Sequence, residues 1–140
     1  MCYNKSIMIP RSDSTIATYR QHFKRQQAKK LNEREARRQQ ALAKLKAVAP
    51  AVAANIPSVQ QLYLFGSVIR HGQFHQRSDV DMGVVGTTAE DYFELWRQLE
   101  AALPAWPIDL REISEDSFFA DSVKRTGLLI YERTNQTVTS

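Results

Sequence analysis

Three aspartates and one glycine–serine pair carry most of the chemical potential of this sequence. Asp79 and Asp81 flank Val80, with eleven residues between Gly66-Ser67 and Asp79. Side chains of a strand alternate with a period of two, so both carboxylates face one side with Cα atoms about 6.7 Å apart. Like charges so placed in a poorly solvated site resist joint ionisation, and a hard divalent cation such as Mg2+ relieves the repulsion. Asp109 lies between Ile108 and Leu110 in a later alternating segment. If that strand lies beside the first pair, the three side chains supply enough oxygens for two metal ions, and Asp109 is also a candidate to take a proton from an attacking hydroxyl. Gly66 ends an apolar run where backbone can approach a ligand closely, and Ser67 opens a segment whose free N–H groups can point at an anion. Metal on one wall and amide donors on the other can grip a polyphosphate, orient its α-phosphorus and stabilise a departing pyrophosphate.

The elements that must position these residues can be read from the same rows. Leu62 to Phe65 is an apolar run of strand length, and Val80 to Val85 is a second strand. Thr87-Thr88 offers a helix cap, with Asp91 three residues beyond Thr88 in the manner of a capping box. The helix that follows runs to about Leu103, and Tyr92, Phe93, Leu95, Trp96 and Leu99 recur at helical spacing, which favours core over a stacking platform. Ile108 to Ile113 alternates as a third strand. Ser114 can cap a short helix over Glu115 to Lys124 ending at Gly127, and Leu128 to Tyr131 reads as a fourth strand.

Upstream, residues 14 to 49 contain no Gly or Pro and are rich in strong helix formers. They predict one long helix or two end to end, capped by Ser12, Asp13 or Ser14, with Pro50 a stop or kink. Apolar positions recur at both ends but thin out where Lys29, Lys30, Arg34, Arg37 and Arg38 crowd together. The C-terminal third is expected to pack on the domain, and the middle to be solvated or covered by something else. The fold class is α+β, a small mixed sheet flanked by helices with a long N-terminal helical arm. The expected divisions are a basic arm over 1–50, a domain over 51–133 and a polar tail over 134–140.

Composition narrows the field further. The chain has 140 residues, 43% hydrophobic and 24% charged, which excludes collagen-like, wholly disordered and disulfide-stapled classes. Its single cysteine, Cys2, has no internal partner, and the apolar stretch Ile7 to Pro10 is too short for a signal or a membrane span. A soluble, cytoplasmic protein without membrane contact is expected. Residues 1–56 hold 12 Lys and Arg against 3 Asp and Glu, a net of +9, whereas residues 57–140 hold 7 against 12, a net of −5. The basic run between Lys24 and Lys46 is either a solvated helix face or a surface for nucleic acid or an acidic protein. His71 and His75 are expected to be solvated loop residues, because Mg2+ sites rarely recruit imidazole.

Phe65-Gly66-Ser67, Gly72, Ser78-Asp79-Val80-Asp81-Met82, Asp109 within Ile-Asp-Leu and the closing Thr126 to Glu132 together resemble the minimal nucleotidyltransferases of the DNA polymerase β superfamily. The resemblance covers roughly residues 56 to 133 and implies the nucleotidyltransferase fold. It implies that Asp79 and Asp81 bind two Mg2+ ions, that Asp109 is a third ligand or base, and that Gly66 and Ser67 hold the triphosphate of ATP. Arg70 and Ser78 are further candidates at the nucleotide, although Arg70, like Arg77, could equally coat the surface and Ser78 could simply brace its loop. Gly72 stands five residues after Ser67 where the family pattern has four, one residue more in the turn. Larger relatives carry extra domains for their acceptors, and beyond the catalytic elements this chain has only its arm, so the acceptor is expected on a separate protein. The minimal group implies an MNT-type antitoxin that transfers AMP to a tyrosine of a HEPN-type ribonuclease toxin. A binding module acting by complex formation and nucleotidyl transfer to RNA or a small molecule are the alternatives.

Overall fold

Four strands and three helices follow from these patterns in the computed structural model, which describes residues 12–114 and 116–134, with the side chains of 12–14 left aside. Cys2, the capping side chains at 12–14, Glu115 and the tail from 135 onward lie outside the described residues. Helix α1 spans Ser12–Ala54. Strands β1 (Gln61–Phe65), β2 (Val80–Val85), β3 (Ile108–Glu112) and β4 (Leu128–Glu132) form one sheet in the order β3-β2-β1-β4. β1 pairs antiparallel with β2 and β4, and β2 pairs parallel with β3, so the sheet is mixed. Helix α2 (Ala89–Ala102) provides the crossover that a parallel pair requires, and α3 (Phe118–Thr126) leads into β4.

Two compact units divide after Glu33. In the first, the helix leaves Ile16, Tyr19, Phe23 and Leu31 exposed. In the second, Ala41, Leu45, Ala49 and Ala53 of α1 are fully buried. Their spacing of four residues places them on one helix face, and the small alanines let the backbone approach its neighbours. They join Leu62 and Leu64 of β1, Val80, Met82 and Val84 of β2, Leu95 and Leu99 of α2, and Ile108 and Leu110 of β3 in the main core. The opposite sheet face packs Tyr63, Val85 and Ile113 against Ala120 and Val123 of α3, with Phe65 and Phe119 at its margin.

The helix runs through Pro50 instead of stopping there. Proline cannot donate to the carbonyl of Lys46, but Lys46 is exposed and water can serve the vacant acceptor. The Thr88 hydroxyl caps α2 by accepting from Asp91 N at 3.2 Å. Asp91 turns outward to accept from the Ser58 hydroxyl at 2.6 Å, tying the loop before β1 to the helix start. Helix α3 starts later than expected, because Ser117 accepts from Ala120 N at 2.9 Å while its own hydroxyl donates to Ser114 O. Among the described residues, no helix is long and apolar enough to cross a membrane.

Candidate active site

Strand register brings the sequence-predicted residues together. On β2, Val80, Met82 and Val84 point into the main core, leaving Asp81 on the α3 side of the sheet. Asp81 lies opposite Phe65 of β1 on one flank and opposite Asp109 of β3 on the other. The strand pairing thus supplies the neighbour relation between Asp81 and Asp109 that the sequence left conditional. Asp79 immediately precedes β2 and is exposed, whereas Asp81 and Asp109 are half-buried.

The glycine–serine bend follows Phe65 directly as a 3-10 turn over Gly66–Ile69. Gly66 adopts φ of +75°, and a Cβ there would collide with Oδ2 of Asp81. Glycine is therefore required twice, once for its backbone conformation and once so that the bend can rest against the carboxylate. Ser67 is half-buried, and Arg70 ends the turn, exposed, with its N–H donating to Ser67 O at 3.1 Å.

The electrostatics of Asp81 register the crowding. Burial pushes its carboxyl above the usual range, the charges of Asp109 and then Asp79 add to the rise, and Arg111 opposes it. Arg111 stands two residues beyond Asp109, on the same face of β3, and its Nη2 lies 3.4 Å from Asp109 Oδ2. The guanidinium also sits 5.9 Å from the Phe119 ring centroid, and Phe119 packs edge-on against Phe65. β3 is a sheet edge, but α2 holds it from the side: Tyr92 Oη donates to Leu110 O at 2.5 Å and Trp96 Nε1 to Ile108 O at 3.1 Å. These two bonds bracket Asp109 and fix the segment that carries it.

Beside the bend lies a cleft of about 330 Å3 lined by Phe65, Gly66, Ile69 and Arg70 and by Phe119, Ser122, Val123 and Thr126 from the α3 side. Its position against the bend was not predicted from the sequence, since the two walls are separated by some fifty residues of chain. Ser78 has a loop-bracing contact, its hydroxyl accepting from His75 N at 2.7 Å. His71 and His75 are exposed. Arg111 was open to the same period-two reasoning that found Asp109; the roles of the Tyr92 and Trp96 donors left no such signal.

Among the described residues, no group of three His, Cys, Asp or Glu side chains is arranged to hold a metal ion. The donor chemistry is nevertheless that of a hard cation: oxygen only, with repulsion between Asp81 and Asp109 awaiting a counter-charge. Mg2+ is commonly held by one or two carboxylates together with substrate phosphates and water, not by a complete protein cage.

The family model described as polymerase beta, nucleotidyltransferase matches residues 46–136. A crystal structure of a toxin–antitoxin with AMP-PNP is similar at 25% identity and a TM-score of 0.50, over 64% of this chain and 73% of that one. A tri-AMPylated Shewanella oneidensis HEPN toxin in complex with MNT antitoxin matches at 26% identity and a TM-score of 0.45, over 67% and 73% of the two chains. A putative nucleotidyltransferase from Sulfolobus solfataricus matches at 19% identity and a TM-score of 0.44, over 78% and 93%. Comparison with curated proteins gave no match.

Proposed function

Because the chain belongs to the polymerase beta nucleotidyltransferase family, we propose that it transfers AMP from ATP to a tyrosine hydroxyl of a HEPN-type toxin and so acts as that toxin's antitoxin. The observation that carries the reading is the register Phe65–Asp81–Asp109, with Gly66 resting against the Asp81 carboxylate. The contact of Gly66 with the Asp81 carboxylate supports a reading in which the acidic wall and the backbone of the bend share one triphosphate. The similarity to a toxin–antitoxin structure with AMP-PNP supports both the nucleotide and the class of partner.

In this reading the bend at Gly66 and Ser67 receives the phosphates, with Arg70 at its exit, and the adjoining cleft receives another part of the nucleotide. Asp79 and Asp81 are the residues that would hold Mg2+, with Asp109 as third ligand or base. Bound there, the cation would neutralise phosphate charge and stabilise the leaving group. The acceptor oxygen bonds to the α-phosphorus, the bond from that phosphorus to the bridging oxygen breaks, and pyrophosphate departs. Asp109, acting as base, receives the hydroxyl proton, and Arg111 beside it balances charge on the carboxylate.

The test is incorporation of label from ATP, with Mg2+, into a co-expressed HEPN-type partner, located by mass spectrometry. Asp79→Asn and Asp81→Asn are expected to lower transfer by about 100-fold or more with the fold retained by circular dichroism. Transfer retained in the double variant would overturn the assignment. Toxin neutralised by a variant that no longer transfers AMP would point instead to inhibition by complex formation.

A further inference from the structure

Two residues of α1, remote in sequence from the bend, hold the loop that leaves it. Glu35 Oε1 accepts from the backbone N–H of Gly72 at 3.0 Å across 37 positions of chain. Its carboxylate is gripped in turn by Arg38, with Nε at 2.9 Å from Oε1 and Nη2 at 2.6 Å from Oε2, and by Gln39 at 2.8 Å. Arg38 Nη1 then reaches the carbonyl of Val68, inside the 3-10 turn, at 3.3 Å. The two side chains keep only 19% and 11% of their surface exposed. The clamp therefore touches the loop at Val68 and again at Gly72, where φ is +73° and the backbone is buried.

From this geometry we infer that Glu35, oriented by Arg38, is a positioning residue for the phosphate-binding bend: it fixes the 66–72 loop so that the bend presents its donors in place before nucleotide arrives. Charge-assisted hydrogen bonds are shorter and stronger than neutral ones, and a site organised in advance does not spend binding energy on ordering its loop. The Arg38 bond holds the Glu35 carboxyl far below the usual carboxylate range against the effect of burial, so Glu35 is charged wherever the protein is folded near neutral pH. Gly72 N, five positions after Ser67, is the backbone atom Glu35 holds.

The inference rests on the nucleotide reading above, and two measurements separate them. Binding of a non-hydrolysable ATP analogue with Mg2+ is followed by calorimetry, and exchange of the Gly72 amide is followed by NMR without nucleotide. Glu35→Ala is expected to weaken binding about tenfold and speed Gly72 exchange about tenfold, raising KM for ATP with kcat largely kept. Glu35→Gln, which retains an acceptor for Gly72 N–H, should recover most of both. A loss of folded protein would lower the number of binding sites without changing Kd, so the two are distinct. Unchanged Kd in Glu35→Ala overturns the inference. Should that variant not fold, Arg38→Met takes its place, with a several-fold weakening expected and unchanged Kd again overturning. If the unaltered chain binds no nucleotide, the functional reading fails, and Gly72 exchange still decides whether Glu35 holds the loop.

Discussion

At the scale of single residues, Asp81 is where the site's forces meet. It is half-buried, lies opposite Asp109 and has its protonated form favoured by burial and by Asp109 and Asp79. A carboxyl whose folded pKa is raised keeps a proton that the unfolded chain has already released near pH 3.8. Its contribution to stability is present below that pH and is lost as pH rises through the folded value. Asp81→Asn is therefore expected to melt above the unaltered protein at neutral pH, with the gap closing as pH falls to about 4, measured by thermal unfolding across that range. Added Mg2+ should raise the melting temperature of the unaltered protein and leave Asp81→Asn nearly unmoved, because only the charged pair gains from a counter-ion. Asp81 of β2, with Asp79 just before the strand, was legible in the sequence because strand alternation is local. Their coupling to Asp109 was legible only as a condition, since pairing between strands is not a local property.

At the scale of elements, the bend and β3 depend on different supports. Gly66→Ala asks a residue with a side chain to adopt positive φ while its Cβ meets the Asp81 carboxylate. It is expected to cost about 1 to 3 kcal/mol in urea unfolding and to remove nucleotide binding even where the fold survives. The glycine in the sequence marked a turn; that it also leaves room for Asp81 came from the antiparallel pairing of β1 and β2. β3 was recognisable from Ile108-Asp109-Leu110, yet its anchorage to Tyr92 and Trp96 was not, because helical spacing marks a buried face without saying which donors on it find carbonyls. Ser114 and Ser117 are equally good caps on paper. The turn they make together, with Ser117 donating to Ser114, selects Ser117 for α3.

At the scale of the whole molecule, α1 contributes to two settings. Its residues from Arg34 onward share a unit with the sheet, and Ala41, Leu45, Ala49 and Ala53 are part of the same core as β1 and β2. Leu45→Ala is expected to destabilise by about 2 to 5 kcal/mol in denaturant unfolding, the cost of an emptied core position, although Leu45 is distant in sequence from every strand. The C-terminal third of the helix was expected to pack, and it does. The crowded middle was expected to be solvated or covered: Lys29 and Lys30 are exposed, whereas Arg38 is covered and bonded to Glu35 and to the carbonyl of Val68. A basic residue reads as solvent-facing until a carboxylate and a carbonyl are brought to it.

The sequence by itself determined the strands, the Thr88 cap of α2, the close spacing of Asp79 and Asp81 and, through its motif, the family, because each depends on neighbours within a few residues. Tertiary structure alone decided that Asp109 stands opposite Asp81, that the bend rests on that carboxylate, that α3 closes a cleft beside it and that α1 reaches back to Gly72. All four join parts of the chain that are separated in sequence, fixed by which hydrophobic faces can be buried together. That is a property of the assembled core, not of any one stretch of chain.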